Sequence, residues 1–312
     1  MKTLFSRSFI ATIVALALLP LVLVNDFLID VSIRVMLTAI AVIGLNILMG
    51  FAGQVSIGHA AFVAAGAYGS AILATHLNIN PIISILVAAV GVAIFAWVIA
   101  KPILKLKGHS LTMATLGLGI IVNMILINEV NWTGGPDGMP VPPVRIGDFA
   151  VIRPLHWYLV AASTLIVSMW LSLNLFDSPA GRALRGLNGS EMAARVMGVD
   201  VGSFKTRAFV VSAVFATISG SLTAHYLAFV SPVMASFTHS VELATMVVLG
   251  GMASTYGALV GTALLTTLPQ LLGGFEDFEM MFFGFILMVT MMFLPMGLVP
   301  SIARIIERRR AR

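Results

Sequence analysis

The residues best suited to chemistry lie in a glycine-rich part of a long stretch without charges. Between Arg34 and Lys101 the chain contains no Asp, Glu, Lys or Arg. Polar side chains in such surroundings need a partner or a water-filled cavity, and glycines beside them indicate irregular backbone along it. We therefore expect six residues to line or shape a route for a solute: Gly50, Gly53, Gln54, Ser56, Gly58 and His59. The alternative is that they serve helix packing alone.

Glu242 is the only carboxylate with long apolar runs on both sides. A charge at the centre of a membrane costs at least ~2.5–3.5 kcal/mol, so residues of this kind usually have a function. We assign Glu242 to the same predicted route. The alternative is a position near the outer interface, close to the Ser231-Pro232 break, where the charge costs little.

Catalytic and cofactor motifs are missing from the sequence. There is no phosphate loop of the form G-x-x-x-x-G-K-[ST], no H-E-x-x-H and no G-x-S-x-G. There is also no cysteine, which excludes thiolate metal sites and disulfides. We therefore expect no catalytic residue, no metal site and no cofactor bound by this chain.

The composition defines the class of protein. Of 312 residues, 18 are Lys or Arg, 13 are Asp or Glu, and 59% are apolar. A soluble domain has about 25% charged residues, so a soluble enzyme, a disordered protein and a nucleic-acid binder are excluded. Continuous apolar runs, rather than short alternating ones, exclude a membrane β-barrel. The chain is predicted to be an all-α integral membrane protein.

The apolar runs and their breaks predict about ten membrane spans in a single transmembrane domain, residues 1–312. The eighth is short and is expected to be tilted or partly re-entrant. The predicted spans are 8–25, 34–50, 55–76, 82–100, 109–129, 155–176, 207–229, 239–252, 256–272 and 280–300.

The distribution of basic residues predicts the orientation. With both termini in the cytoplasm, fifteen Lys and Arg lie inside and three outside, as the positive-inside rule requires. Residues 130–154 then form a periplasmic loop and residues 177–206 a cytoplasmic loop. The first span lacks a small-residue cleavage site, so we predict an uncleaved helix rather than a signal peptide.

The cytoplasmic loop contains a short amphipathic pattern from Glu191 to Gly198. Such helix content is expected where a loop docks on another protein, and a plain solvated loop is the alternative. Ala193 and Ala194 would allow close approach to a groove, and Gly198 would end the helix.

One motif resembles a known family. Gly50-Phe-Ala-Gly-Gln-Val-Ser-Ile-Gly-His-Ala-Ala-Phe62 is similar to the signature of branched-chain amino acid ABC-importer permeases, the LivM branch. Weaker matches follow in order at 133–138, 181–205, 246–251 and 293–298. Two positions depart from the family pattern, Ile120 in the fifth span and Gly186-Leu187-Asn188 in the cytoplasmic loop.

The resemblance implies an ABC importer permease fold in the bacterial inner membrane. It implies a second homologous permease subunit, two cytoplasmic ATPase subunits that bind ATP and Mg²⁺, and a periplasmic substrate-binding protein. It also implies six residues for ATPase coupling and three in the periplasmic loop: Gly181, Arg182, Glu191, Ala193, Ala194 and Gly198, and Thr133, Gly134 and Gly135.

The substrate stays open at this point. Branched-chain amino acids, other amino acids, urea, amides and small aromatic acids all fit a permease of this kind. A self-sufficient ion-coupled carrier or channel is the rival from another class.

Overall fold

The computed structural model describes residues 7–22, 25–146, 149–151 and 153–271, with scattered positions between 284 and 304. The predicted tenth span, 280–300, and both chain termini lie outside the continuously described residues. Helices dominate the part that is described. Their bounds are α1 Arg7–Val22, α2 Asp26–Asn46, α3 Ala60–Thr75, α4 Pro81–Ile103, α5 His109–Asn128, α6 Val130–Thr133, α7 Pro154–Asp177, α8 Pro179–Gly189, α9 Glu191–Val196, α10 Val201–Leu227, α11 Phe237–Gly250 and α12 Thr255–Leu271.

The long apolar helices confirm an all-α membrane bundle. Five helical stretches among the described residues are long and apolar enough to cross a bilayer: Asp26–Phe51, Pro81–Ile103, His109–Asn128, Pro154–Asp177 and Val201–Leu227. Shorter apolar helices, α1, α3 and α11, complete the set together with α12. The eighth predicted span corresponds to α11, whose 14 residues reach only ~21 Å, less than the ~30 Å hydrocarbon core.

The second helix begins earlier than the sequence predicted. The Asn25 side chain accepts a hydrogen bond from the backbone N–H of Phe27 and caps α2, so the helix starts at Asp26 and not at 34. The prediction was wrong because Asp30 and Arg34 looked like loop charges. They are one helical turn apart and pair at 2.8 Å, which lets a helix carry both.

Small residues allow α10 to pack closely on α3. A Cβ built on Gly220 would overlap the carbonyl oxygen of Val63, and one built on Gly66 would overlap Thr217. The hydroxyl of Ser221 donates to the carbonyl of Gly66 at 2.8 Å. Helices in lipid associate through packing of this kind, because water exclusion does not drive them together. Through these contacts α10 becomes a central helix of the bundle, packed on α2, α3 and α4.

Short strands lie at one end of the bundle. β1 Met139–Pro140 pairs antiparallel with β4 Phe229–Val230, and β2 Arg145–Ile146 pairs antiparallel with β3 Phe149–Ala150. The 24-residue α7, ~36 Å long, separates this end from α8 and α9. We call the strand end the outer end and the α8–α9 end the inner end, following the orientation that the charges predict.

Candidate translocation and coupling sites

The glycine-rich motif forms an irregular segment between two helices. The last turn of α2 widens into a π-helix, Ile47–Phe51, and the chain then stays non-helical until α3 begins at Ala60. The predicted span 55–76 therefore starts too early. The backbone N–H of Ile57 donates to Thr115 Oγ1 at 3.3 Å, and that of Ala60 donates to Ser240 Oγ at 3.2 Å. These bonds to α5 and α11 replace helical ones, as irregular backbone inside a membrane requires.

The polar side chains of this segment point into the protein. Gln54, Ser56 and His59 are all buried. Both amide atoms of Gln54 lack a hydrogen-bond partner among the described residues. The His59 ring meets Phe62 edge-on, with 6.1 Å between ring centroids. None of the three lines the cavities that contain Glu242, so this arrangement favours shaping the route over lining it, and their role stays a prediction.

The glycines of the segment allow close approach to other elements. A Cβ on Gly58 would overlap the carbonyl of Thr115 on α5. Gly53 has a φ of +65°, a conformation that suits glycine. A Cβ built on Gly53 would overlap the side chain of Asn188 on α8. The Asn188 side chain donates to the carbonyl of Gly50 at 2.7 Å. The glycine-rich motif is thus in direct contact with the cytoplasmic loop.

A buried amide that the sequence analysis missed holds the end of α2. Asn46 donates to the carbonyl of Ser254 at 2.9 Å and accepts from the N–H of Ala253 at 2.9 Å. Both contacts lie in the turn between α11 and α12. An Asn inside an otherwise apolar span was the available signal, because such an amide needs partners.

The predicted cytoplasmic loop contains two capped helices. The sequence analysis predicted α9 but not α8, which Ser178 caps by accepting from the N–H of Gly181 at 3.1 Å. A Cβ on Gly181 would overlap carbonyl groups at the end of α7, so α8 turns back tightly on that helix. Arg182 donates to the carbonyl of Asp177 at 3.2 Å. This bond satisfies one of the carbonyl groups that lack a helical partner at the C-terminal end of α7. Gly198 follows α9 with a φ of +81°, which ends the helix.

The exposed face of α9 differs from the expected one. Ala194 is only 7% exposed and packs against this chain's own core, so the expectation that it meets a partner's groove is corrected. Ala193 is exposed. Met192, Val196 and Met197 are 72%, 81% and 82% exposed. Apolar side chains this exposed on a polar loop indicate a contact surface, which we call the α9 patch.

Glu191 ties α9 to two neighbouring elements. Its carboxylate pairs with the buried Lys205 of α10 and, at 3.7 Å, with Lys107 before α5. The hydrogen bond from Lys205 lowers the pKa of Glu191 below its ordinary value, and both lysine charges add to this effect. Glu191 thus fixes the position of α9 relative to the spans.

Replacing Glu191 with Gln should lower the free energy of unfolding of the purified protein at neutral pH. The expected loss is about 1–3 kcal/mol, because a hydrogen bond to a charged group is removed. Because the pKa is lowered on folding, this contribution is present above the unfolded carboxyl pKa and is lost as pH falls through the folded one. Melting curves from pH 7 into the acid range should therefore converge for wild type and Glu191→Gln.

The matched control is Lys107→Gln, because Lys107 is largely exposed and an exposed ion pair contributes little. Equal losses for the two variants would contradict a special role for the bond between Glu191 and Lys205.

Two adjacent cavities open at the outer end of the bundle. One has a volume of about 540 Å³ and the other about 300 Å³. Glu242 of α11 lines both, is 39% exposed at its side chain, and lies 3.2 Å from His239 Nδ1. The cavity walls come from α2, α3, α10, α11, α12 and the segment that joins α10 to α11. Residues that line both cavities are Thr38, Thr223, Leu227, His239 and Glu242.

The predicted periplasmic loop has a compact start. The Thr133 hydroxyl oxygen lies 2.7 Å from the carbonyl oxygens of both Leu126 and Glu129, which share its single proton, and accepts from the N–H of Gly135 at 3.1 Å. Gly134 and Gly135 both have positive φ, +76° and +62°. These residues therefore cap the outer end of α5, and their role toward a partner stays a prediction.

A mainly helical bundle with several apolar helices long enough to cross a bilayer is typical of a multi-pass membrane permease. Comparison with known families gives the same class. The family described as branched-chain amino acid transport system / permease component matches residues 27–293, and the chain belongs to this family.

Two relatives cover most of the chain. The high-affinity branched-chain amino acid transport system permease protein LivM of Escherichia coli (strain K12) is 30% identical over 96% of this chain and 76% of its own length. LivH of the same strain, a permease protein of the same named system, is 25% identical over 73% of this chain and 79% of its own length.

A third relative carries a different named substrate. The autoinducer 2 import system permease protein LsrC of Photorhabdus laumondii is 28% identical over 61% of this chain and 57% of its own length. No solved structure matches this chain.

Proposed function

We propose that this chain is a translocating subunit of an ATP-driven importer for branched-chain amino acids. The substrate class follows the names of two relatives that align with 96% of this chain. The observation that supports coupling to ATP hydrolysis is the α9 patch, an exposed apolar surface on the inner end of a membrane bundle. A carrier that works alone would gain nothing from exposing such a surface to water.

The proposed assembly has four kinds of subunit. A second, homologous permease completes the pathway, two cytoplasmic ATPases bind the α9 patch, and a periplasmic binding protein delivers the substrate. ATP and Mg²⁺ bind the ATPases, so this chain binds no cofactor and performs no catalysis. The assembly is placed in the inner membrane with both termini of this chain in the cytoplasm.

Reconstitution tests this proposal. The four kinds of subunit are placed in proteoliposomes, and ATP-dependent uptake of radiolabelled leucine is measured. Uptake should require the ATPases and the binding protein. Uptake by this chain alone, driven by an ion gradient, would favour the carrier alternative instead, and no leucine uptake by the complete complex would contradict the proposed substrate.

Replacing Gln54 with Leu should reduce uptake about threefold to tenfold while leaving membrane abundance and assembly intact. The amide has no hydrogen-bond partner among the described residues, so Leu of similar size removes an unsatisfied polar group and costs the fold little. What is then lost is the contribution of the amide to the shape and polarity of the route beside the glycine-rich motif. Uptake rates normalised to the amount of assembled complex measure the effect.

Normal uptake with Gln54→Leu would show that the amide has no transport role. Loss of assembly without a separate transport defect would assign the glycine-rich motif to packing.

A further inference from the structure

The two outer cavities differ in chemistry. The smaller one is lined by Arg34, Tyr226, His239 and Glu242 among other residues. The larger one adds five apolar residues and four serines or threonines. Because the two share lining residues, they form one cleft with a charged edge and an apolar interior, which we call the outer cleft.

The charged edge presents groups of both signs. Glu242 is partly exposed, and its carboxylate has only His239 as a partner among the described residues. In the same cavity, Arg34 Nε donates to one oxygen of Asp30 at 2.8 Å, and the Tyr226 hydroxyl donates to the other. Asp30 is therefore occupied on both oxygens. The Arg34 side chain remains 42% exposed, with its terminal guanidinium nitrogens unbonded among the described residues.

The apolar interior has the size of a small-molecule site. Its volume of about 540 Å³ lies within the ~300–1,000 Å³ usual for ligand pockets. The apolar lining residues include Ala41, Val63, Val233, Met234 and Leu243. A branched aliphatic side chain would leave water on entering this space, which favours binding.

We propose that the outer cleft binds a zwitterionic α-amino acid, with its ammonium at Glu242, its carboxylate at Arg34 and its aliphatic side chain in the larger cavity. This inference rests on the proposed function and deepens it by assigning the residues that recognise the substrate. A free carboxylic acid would place its only charge beside Glu242 without an ammonium to balance it. A simple amine would leave the terminal guanidinium nitrogens of Arg34 without a partner.

Ligand binding is tested on the assembled complex without the binding protein. Saturation-transfer NMR, which detects millimolar affinities, is recorded with leucine, with 3-methylbutylamine and with 4-methylpentanoate. Wild type should bind leucine best. Glu242→Gln should weaken leucine binding about tenfold to a hundredfold, since a charge-assisted hydrogen bond is lost, and should leave binding of 4-methylpentanoate unchanged or improved.

Arg34→Gln supplies the opposite pattern. This substitution should weaken the binding of leucine and of 4-methylpentanoate but not the binding of 3-methylbutylamine. Equal losses for all three ligands in either variant would show a general structural effect and would overturn the assignment. So would wild-type leucine affinity in both variants, or no leucine signal from wild type.

A third variant tests the apolar interior without removing a charge. Val233 is mostly exposed, so Val233→Trp should fold normally while narrowing the larger cavity. Binding of leucine should fall by more than binding of alanine. Equal effects on the two amino acids would place the aliphatic side chain elsewhere.

Uptake by the reconstituted wild-type complex is measured in parallel. ATP-dependent leucine uptake together with unchanged ligand preference in Glu242→Gln and Arg34→Gln would overturn this inference alone. Absence of uptake by wild type would overturn the proposed function itself.

Discussion

Replacing Val196 with Glu should separate the ATPase subunits from the purified membrane complex. Val196 lies in the α9 patch and is 81% exposed in this chain, so in the proposed complex the new carboxylate would be buried without a partner. An uncompensated buried charge typically costs ~3–5 kcal/mol, which corresponds to at least a hundredfold weaker association at ~1.4 kcal/mol per tenfold. Recovery of the ATPases after serial dilution and repurification measures this loss.

The matched control is Val130→Glu, which places the same charge at a 60% exposed valine on the outer end. ATPase recovery with this variant should equal that of wild type. If Val196→Glu also retains the ATPases, the α9 patch is not the contact. Ala194 is unsuitable for this test, because a charge at this buried position would damage the chain's own packing.

Replacing Gly220 with Ala should strongly lower the stability of the bundle for a change of a single methyl group. The added Cβ would overlap the carbonyl oxygen of Val63, so α10 and α3 would have to move apart. Overpacking of this kind typically costs ~1–3 kcal/mol, and close packing is one of the main forces that hold helices together in lipid. The melting midpoint of the detergent-purified protein should fall by several degrees.

Gly91→Ala provides the control, because a Cβ on Gly91 of α4 meets nothing within 4 Å. Ala is favoured over Gly in a helix interior by ~0.5–1 kcal/mol, so this variant should melt at the wild-type temperature or higher. If the two variants melt alike, the contact between α3 and α10 tolerates a methyl group and the packing argument fails.

The lengths of the apolar runs, and the helix-breaking residues between them, were sufficient to locate most helices of the bundle. Nine of the ten predicted spans contain a helix in the described residues, and the tenth lies largely outside them. The first residue of a helix was harder to predict where a capping side chain outside the apolar run determines it. Asp26 and Val201 begin helices earlier than predicted because Asn25 and Asp200 cap them.

The candidate sites were harder to predict, since sequence spacing does not reveal which face of an element is covered. The short helix α9 was predicted, but the burial of Ala194 depends on packing against this chain's own core. Glu242 was recognised by its isolation among apolar residues. Arg34 was placed at the start of the second predicted span and was not assigned to the route, because its approach to the same cavity depends on how α2 packs against α10, α11 and α12.

The hydrogen bond from Asn188 to Gly50 also limits how much of the molecule has to move during a transport cycle. It joins α8 directly to the break after α2, with no long helix between the two. A displacement of the inner loop would reach the start of the glycine-rich motif through one hydrogen bond, before the 27-residue α10 had to tilt. In an importer built on this chain, the inner part of the route would then open before the outer end rearranges, so that the two gates operate in sequence rather than together.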